Sequence, residues 1–152
     1  MDDFYYNSPR KGVSAAALIF NSKNELLIVR PSYKDHWSIP GGISEKGETP
    51  WETCLREVNE ETGLNIEEQK KPLCVSYSRF GGEREYIQFI FYGGILKDEE
   101  LCNIKIDGEE ILEHKFVGLD EISGFLSERT SKRVLEAARA GKENRLIYGE
   151  EV

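Results

Sequence analysis

What the chain has little of narrows the field first. Its three cysteines, Cys54, Cys74 and Cys102, are odd in number and widely spaced. They frame neither a disulfide scaffold nor a zinc ligand set and read as reduced thiols, Cys54 being a semi-buried filler. Only two histidines occur. His36 has no Cys or His neighbour and reads as a surface residue; His114 is a secondary candidate for proton transfer. No apolar run reaches the ~18 residues a membrane-crossing helix needs. The N-terminal M-D-D-F-Y-Y-N lacks the basic-then-apolar pattern of a secretion signal, so the cytoplasm is the expected location. Positive charge is scarce as well: 20 Lys and Arg stand against 28 Asp and Glu, for a net charge of −8. That balance argues against non-specific binding to nucleic acid or anionic membranes. A phosphate-bearing ligand would have to be met by a metal ion or a local basic patch. No repeat, low-complexity tract or linker interrupts the 152 residues. A single domain over residues 1–152 is expected, with residues 1–10 a loosely ordered tail.

What is present centres on Gly41 to Leu64, G-G-I-S-E-K-G-E-T-P-W-E-T-C-L-R-E-V-N-E-E-T-G-L. Thr49, Pro50 and Glu52 form a helix start: a capping hydroxyl, a proline at the first helical position and a carboxylate that completes a capping box. Gly63 is the stop. Trp51, Leu55, Val58 and Thr62 recur at helical spacing and mark the packing face. Glu57, Glu60 and Glu61 share another face, expected to lie roughly opposite it. Three like charges there repel by a few tenths of ~1 kcal/mol per pair. Two readings stand open for them: a solvated acidic face, or a hard-cation site whose carboxylate oxygens suit Mg²⁺ or Mn²⁺ bridged to substrate phosphates.

From Gly42 the pattern runs glycine, five residues, Glu48, seven residues, Arg56-Glu57-Val58, one residue, Glu60-Glu61, one residue, Gly63-Leu64. This resembles the Nudix box, G-x5-E-x7-R-E-U-x-E-E-x-G-U with U aliphatic, at every fixed position. The resemblance implies a metal-dependent hydrolase of nucleoside diphosphates linked to another moiety. It implies that Glu57, Glu60 and Glu61 ligate Mg²⁺ or Mn²⁺, with a carbonyl of Gly41 or Gly42 as a further ligand. Glu57 is in addition a candidate base, and Glu48 supports the site through Arg56 or a metal-bound water, Arg56 being an ion-pair partner rather than a substrate clamp. One further glutamate, ligand or base, is implied in the loop before a late strand. Glu110 fits best, with Glu109 and Glu113 as alternatives. The implied partner is a small nucleotide, ADP-ribose or another nucleotide sugar or a (d)NTP. A homodimer is compatible with the family. The alternative is a non-catalytic nucleotide-binding sensor, although such domains often lose box glutamates that this chain keeps.

The implied fold is an α/β/α sandwich around a mixed β-sheet. Val13–Phe20 and Glu25–Arg30 read as a buried hairpin across Asn21–Asn24. Leu73–Phe80 and Glu85–Leu96 read as a second hairpin, with Arg79, Phe80 and Arg84 about its turn as candidate phosphate and base contacts. Trp37-Ser38-Ile39-Pro40-Gly41-Gly42 resembles the family's lead-in to the box, Trp37 being core. Asp98–Glu100 reads as loop and His114–Leu119 as a short strand. Asp120 is expected to cap a short helix, and Thr130 or Ser131 to open a longer one ending at Gly141. Residues 145–152 carry no motif.

Overall fold

The sequence around Thr49 builds its helix as the residue types dictate. In the computed structural model, which describes residues 3–66 and 69–151, helix α2 spans Pro50–Thr62. The Thr49 side chain accepts from the Glu52 N–H at 3.2 Å, and the Glu52 carboxylate accepts from the Thr49 N–H at 2.7 Å. Two of the N–H groups that a helix start leaves unpaired are thereby satisfied. At the other end Gly63 takes a left-handed φ of 73° and donates to the Asn59 carbonyl, a conformation that a Cβ would strain.

Alternation along the strands divides the core between two faces. Strand β1 (Gly12–Phe20) sends Ala15, Ala17 and Ile19 toward α2, where Cys54 and Val58 are fully buried. The opposite face carries Leu18 and Phe20, which pack with Val134, Ala137 and Ala138 of helix α3 (Glu128–Lys142). Each fully buried Val or Leu side chain contributes about 1.5–3 kcal/mol by leaving water, so both helices are held mainly by their apolar stripes.

Between the helices lies a seven-stranded mixed sheet. In addition to β1 it holds β2 (Leu26–Pro31), β3 (Gly41–Ile43), β4 (Pro72–Phe80), β5 (Arg84–Ile95), β6 (Ile111–Val117) and β7 (Ile147–Glu151). The order is β6-β2-β1-β5-β4-β7, with the short β3 pairing β1. β1 runs parallel to β5, and β4 parallel to β7; the other pairings are antiparallel. The expected α/β/α sandwich with a mixed sheet is the observed architecture. A four-residue helix, α1 (Asp3–Tyr6), precedes it and leaves Phe4, Tyr5 and Tyr6 exposed. No helix among the described residues is long and apolar enough to cross a membrane.

Several local expectations are corrected. β1 and β2 meet only at Phe20 and Leu26, because the N-terminal half of the same β1 edge is taken by β3, and β2 finds its main partner in β6. β6 starts at Ile111, three residues before His114. Helix α3 starts earlier than Thr130 or Ser131: the Ser127 hydroxyl accepts from the Thr130 N–H at 3.3 Å and caps it. Asp120 caps no helix; the 3₁₀ turn at Ile122–Gly124 follows Glu121 without a side-chain cap. Asp98–Asn103 winds into a 3₁₀ turn rather than a loop. Residues 147–151 form β7, which no motif announced.

Candidate functional site

Strand β3 is where the site begins. Its two glycines let the backbone lie against neighbours that any side chain would strike. A Cβ at Gly41 would fall 2.4 Å from the Ala16 Cβ, and one at Gly42 would fall 2.4 Å from the Glu57 Cδ. The glycines thus bring β3 onto β1 on one side and under the α2 carboxylates on the other.

Glu57 and Glu61 lean onto this strand. Burial pushes the Glu57 carboxyl up, Arg56 opposes it, and Glu60 and Glu110 push it further. Glu61 is buried at 6% exposure, so it does not lie opposite the packing stripe as the spacing suggested. At i+3 from Val58 and i+4 from Glu57 it turns between core and β3. Burial, then the neighbouring Glu57, drive its carboxyl up to about 8; an N–H from Gly41 pulls the other way, and Glu110 adds to the rise. Its Oε2 atom is buried with no hydrogen-bond partner among the described residues. Tyr33, just after β2, shares this field: burial, then Glu61, Glu110 and Glu57, raise its phenol. Glu110 is tied to the same corner by its backbone, whose carbonyl accepts from the Ser32 N–H at 2.8 Å.

Arg56 organises the other side of the cluster. Its Nε donates to Glu48 Oε1 at 2.6 Å and its Nη2 to Glu48 Oε2 at 3.1 Å, a two-bond fork. Nη1 reaches Glu57 at 2.8 Å and Glu60 at 3.2 Å, and Nη2 reaches the Ile43 carbonyl at 3.0 Å. The Arg56 fork, with an N–H from Glu45 and the Thr53 hydroxyl, holds the Glu48 carboxyl down at about 2. Glu48 is therefore a fixed anion that anchors the arginine.

The donor chemistry fits a hard cation. Neighbouring carboxylates raise the proton affinity of Glu57 and Glu61, and one buried Glu61 oxygen lacks a partner among the described residues; a divalent ion would relieve both conditions. The donors are not a finished cage, because among the described residues no three His, Cys, Asp or Glu side chains are gathered in ligating geometry. Arg56 holds Glu57 Oε1 and Glu60 Oε2, oxygens that a cation would otherwise take. Glu57, Glu61 and the Gly42 backbone come together around β3, Glu110 stands within their field, and Glu60 lies at the exposed rim beyond Arg56.

On the α3 side of the sheet a cavity of about 280 Å³ opens beside the same glycines. Lys34 lines it and lowers the proton affinity of Glu61 by its charge, so the cavity and the carboxylates adjoin. Of the hairpin candidates only Phe80 reaches the cavity; Arg79 and Arg84 do not line it, nor do His36 and His114. Trp37 packs on Phe125 at a centroid distance of 5.9 Å, as a core residue. Sequence reasoning missed Lys34, Tyr86, Gln88 and Arg133, all on the cavity wall. A signal for Arg133 existed: it falls beside Val134 and four residues before Ala137, a cation on the edge of an apolar stripe.

This arrangement, a glycine strand pressed beneath a glutamate-bearing helix on a mixed sheet, can hold a cation next to a ligand-sized cavity. The family model for the NUDIX domain matches residues 10–138, and the chain belongs to the Nudix family. It is similar to a putative ADP-ribose pyrophosphatase of Bacillus subtilis, 36% identical over 62 residues that cover 41% of this chain and 28% of the relative. A putative 8-oxo-dGTP diphosphatase of the same organism is 26% identical over 120 residues, 79% of this chain and 75% of the relative. Among solved structures, the MutT protein from Methanosarcina mazei superposes with a TM-score of 0.68 at 29% identity, covering 90% of this chain and 99% of that one. The matches span 38%, 28% and 64% of the first three curated relatives' lengths.

Proposed function

We propose that this protein is a Mg²⁺- or Mn²⁺-dependent pyrophosphohydrolase that cleaves a phosphoanhydride bond in a nucleoside diphosphate derivative. The observation that carries the reading is the buried, unpartnered Oε2 of Glu61 beside Glu57 and the Gly42 cradle, inside a complete Nudix box. Ionising a buried carboxyl whose oxygen has no donor costs several kcal/mol; a cation bound there offsets that cost. When bound, the divalent ion supplies charge neutralisation for the diphosphate and a more acidic water. Glu57, Glu61 and the Gly42 carbonyl are its proposed holders, with Glu60 and Glu110 at the rim.

The chain's own residues do the rest. Glu57, whose proton affinity is raised by burial, is placed to orient the attacking water and take its proton. Arg56 and Glu48 position Glu57 rather than touch substrate. Lys34 lines the cavity and would favour the diphosphate electrostatically. The substrates named for the Bacillus relatives, ADP-ribose and 8-oxo-dGTP, bracket the two classes expected, nucleotide sugars and (d)NTPs. The proposed partner is thus a small nucleotide. The proposed location is the cytoplasm, in keeping with three free cysteines, of which Cys54 is raised to about 12 by burial and inert.

Product analysis tests this. The protein is incubated with Mg²⁺ or Mn²⁺ and a panel of ADP-ribose, sugar nucleotides and each (d)NTP, and products are separated by anion exchange. AMP plus a sugar phosphate, or a monophosphate plus pyrophosphate, supports hydrolysis and names the class. Nucleotide binding without turnover would instead favour a sensor.

A further inference from the structure

A cation stands on the wall of the cavity beside β3 with one of its donors unpaired among the described residues. Arg133 of α3 projects into its wall, and the Arg133 Nε is buried with no hydrogen-bond partner among the described residues. On its other side Arg133 shares a smaller hollow with Glu136, Glu150 and Glu151, of which Glu151 of β7 is already paired to Arg129 at 3.1 Å. Burial pushes the Arg133 guanidinium down, with only partial relief from the charge of Glu151. A guanidinium offers donors only, in a planar fork, and leaving a buried donor unmade costs ~1–3 kcal/mol. A guanidinium fork on a cavity wall suits a ligand that presents two adjacent acceptors.

The remaining walls say what kind of ligand. Phe80, Tyr86, Ile39 and Ile90 give flat and apolar surface. Phe80 is itself fixed, edge-on to Tyr86 at 6.1 Å and beneath the Arg129 guanidinium at 4.5 Å. The volume of about 280 Å³ suits a nucleoside rather than a complete dinucleotide. Lys34 and the two glycines put the opposite end next to the carboxylates, so a base near Arg133 would extend its phosphates toward Glu57.

We propose that Arg133 is a specificity-determining residue that reads the paired O6 and N7 acceptors of a 6-oxopurine base. Guanine and hypoxanthine present both acceptors to the fork, whereas adenine places an amino donor where O6 would be. This rests on the proposed nucleotide hydrolase reading and narrows its substrate class. A good two-bond contact of this type discriminates between bases by ~1–3 kcal/mol, about 5–150-fold.

Binding is the direct test, since it needs no turnover. The dissociation constants of GMP, IMP, AMP and ribose 5-phosphate are measured by calorimetry in Mg²⁺ for the wild type, Arg133→Met and Arg133→Lys. GMP and IMP are expected to bind about tenfold or more tightly than AMP and ribose 5-phosphate. Arg133→Met should bring GMP and IMP to the AMP level while leaving AMP unchanged. Arg133→Lys, which keeps the charge and loses the fork, should lose most of the preference, and it serves as the second variant should Met perturb the fold. Equal affinity for AMP and GMP, or a preference that survives both variants, overturns the assignment. Ribose 5-phosphate binding as tightly as GMP through Arg133 also overturns it, in favour of an anion site. The hydrolase reading fails separately: a GMP preference that depends on Arg133 in a protein that hydrolyses nothing would leave this assignment standing and remove the other.

Discussion

A side chain at Gly42 and the carboxylate of Glu57 compete for one place: a Cβ built there lies 2.4 Å from the Glu57 Cδ and 2.5 Å from its Oε1. Gly42→Ala should therefore push Glu57 out of position and lower kcat by about 10²-fold or more, the scale expected for a misplaced acid–base group. Gly47→Ala is the control. Gly47 has a φ of 90° with open space around it, so the change should cost ~1 kcal/mol of backbone strain and little activity. Steady-state kinetics beside melting curves separate the two.

Glu61 gives a pH signature to the metal-free protein. Its carboxyl is raised from an ordinary 4.5 to about 8, so the folded state holds its proton more tightly than the unfolded one. Its stabilising contribution is complete below about pH 4.5 and is lost as the pH rises through about 8. In EDTA the wild-type melting temperature should include a component that falls over this range. Glu61→Gln should remove that component and raise the melting temperature at pH 8 by a few degrees, while abolishing most of the stabilisation that added Mg²⁺ gives the wild type.

Glu48 acts in the opposite sense and lower on the pH scale. Its carboxyl is held at about 2 by Arg56. That stability is present above 4.5 and lost as the pH falls toward 2. Glu48→Gln should flatten the acid limb of the melting profile. Because Glu48 anchors the guanidinium that holds Glu57, the variant should also lower kcat at neutral pH. Urea denaturation from pH 2 to pH 5 and single-turnover rates at pH 7.5 measure the two effects.

The cap of α3 offers a test of fold alone. Ser127→Ala removes the oxygen that accepts from the Thr130 N–H and should cost ~1 kcal/mol. The cavity-lining Thr130 and Arg133 sit on the first two turns, so fraying there should weaken nucleotide binding more than it lowers kcat.

The box helix was legible down to single atoms of its cap, because Thr49, Pro50, Glu52 and Gly63 act through contacts only a few residues apart. The sandwich followed from the family resemblance, and alternation in β1 bore it out. What stayed illegible depends on distant segments meeting. The burial of Glu61 follows from β3 lying against α2, which helical spacing alone does not contain. Strand β7, Ile-Tyr-Gly-Glu-Glu, lacks apolar alternation and exists because β4 offers it a parallel edge. Arg133 and Gln88 lie on separate elements that only the folded sheet brings to one cavity.

In the proposed function, the carboxylates around β3 bind the cation that drives hydrolysis. The most direct measurement is kcat against Mg²⁺ concentration for the wild type and Glu57→Gln, using whichever substrate the product panel identifies, with circular dichroism to confirm the fold. The wild type should rise from no turnover in EDTA to saturation. Glu57→Gln should stay folded and fall by ~10²–10⁴-fold at every Mg²⁺ concentration. Turnover that persists in EDTA, or a Glu57→Gln variant with near-wild-type kcat at saturating Mg²⁺, would contradict the account.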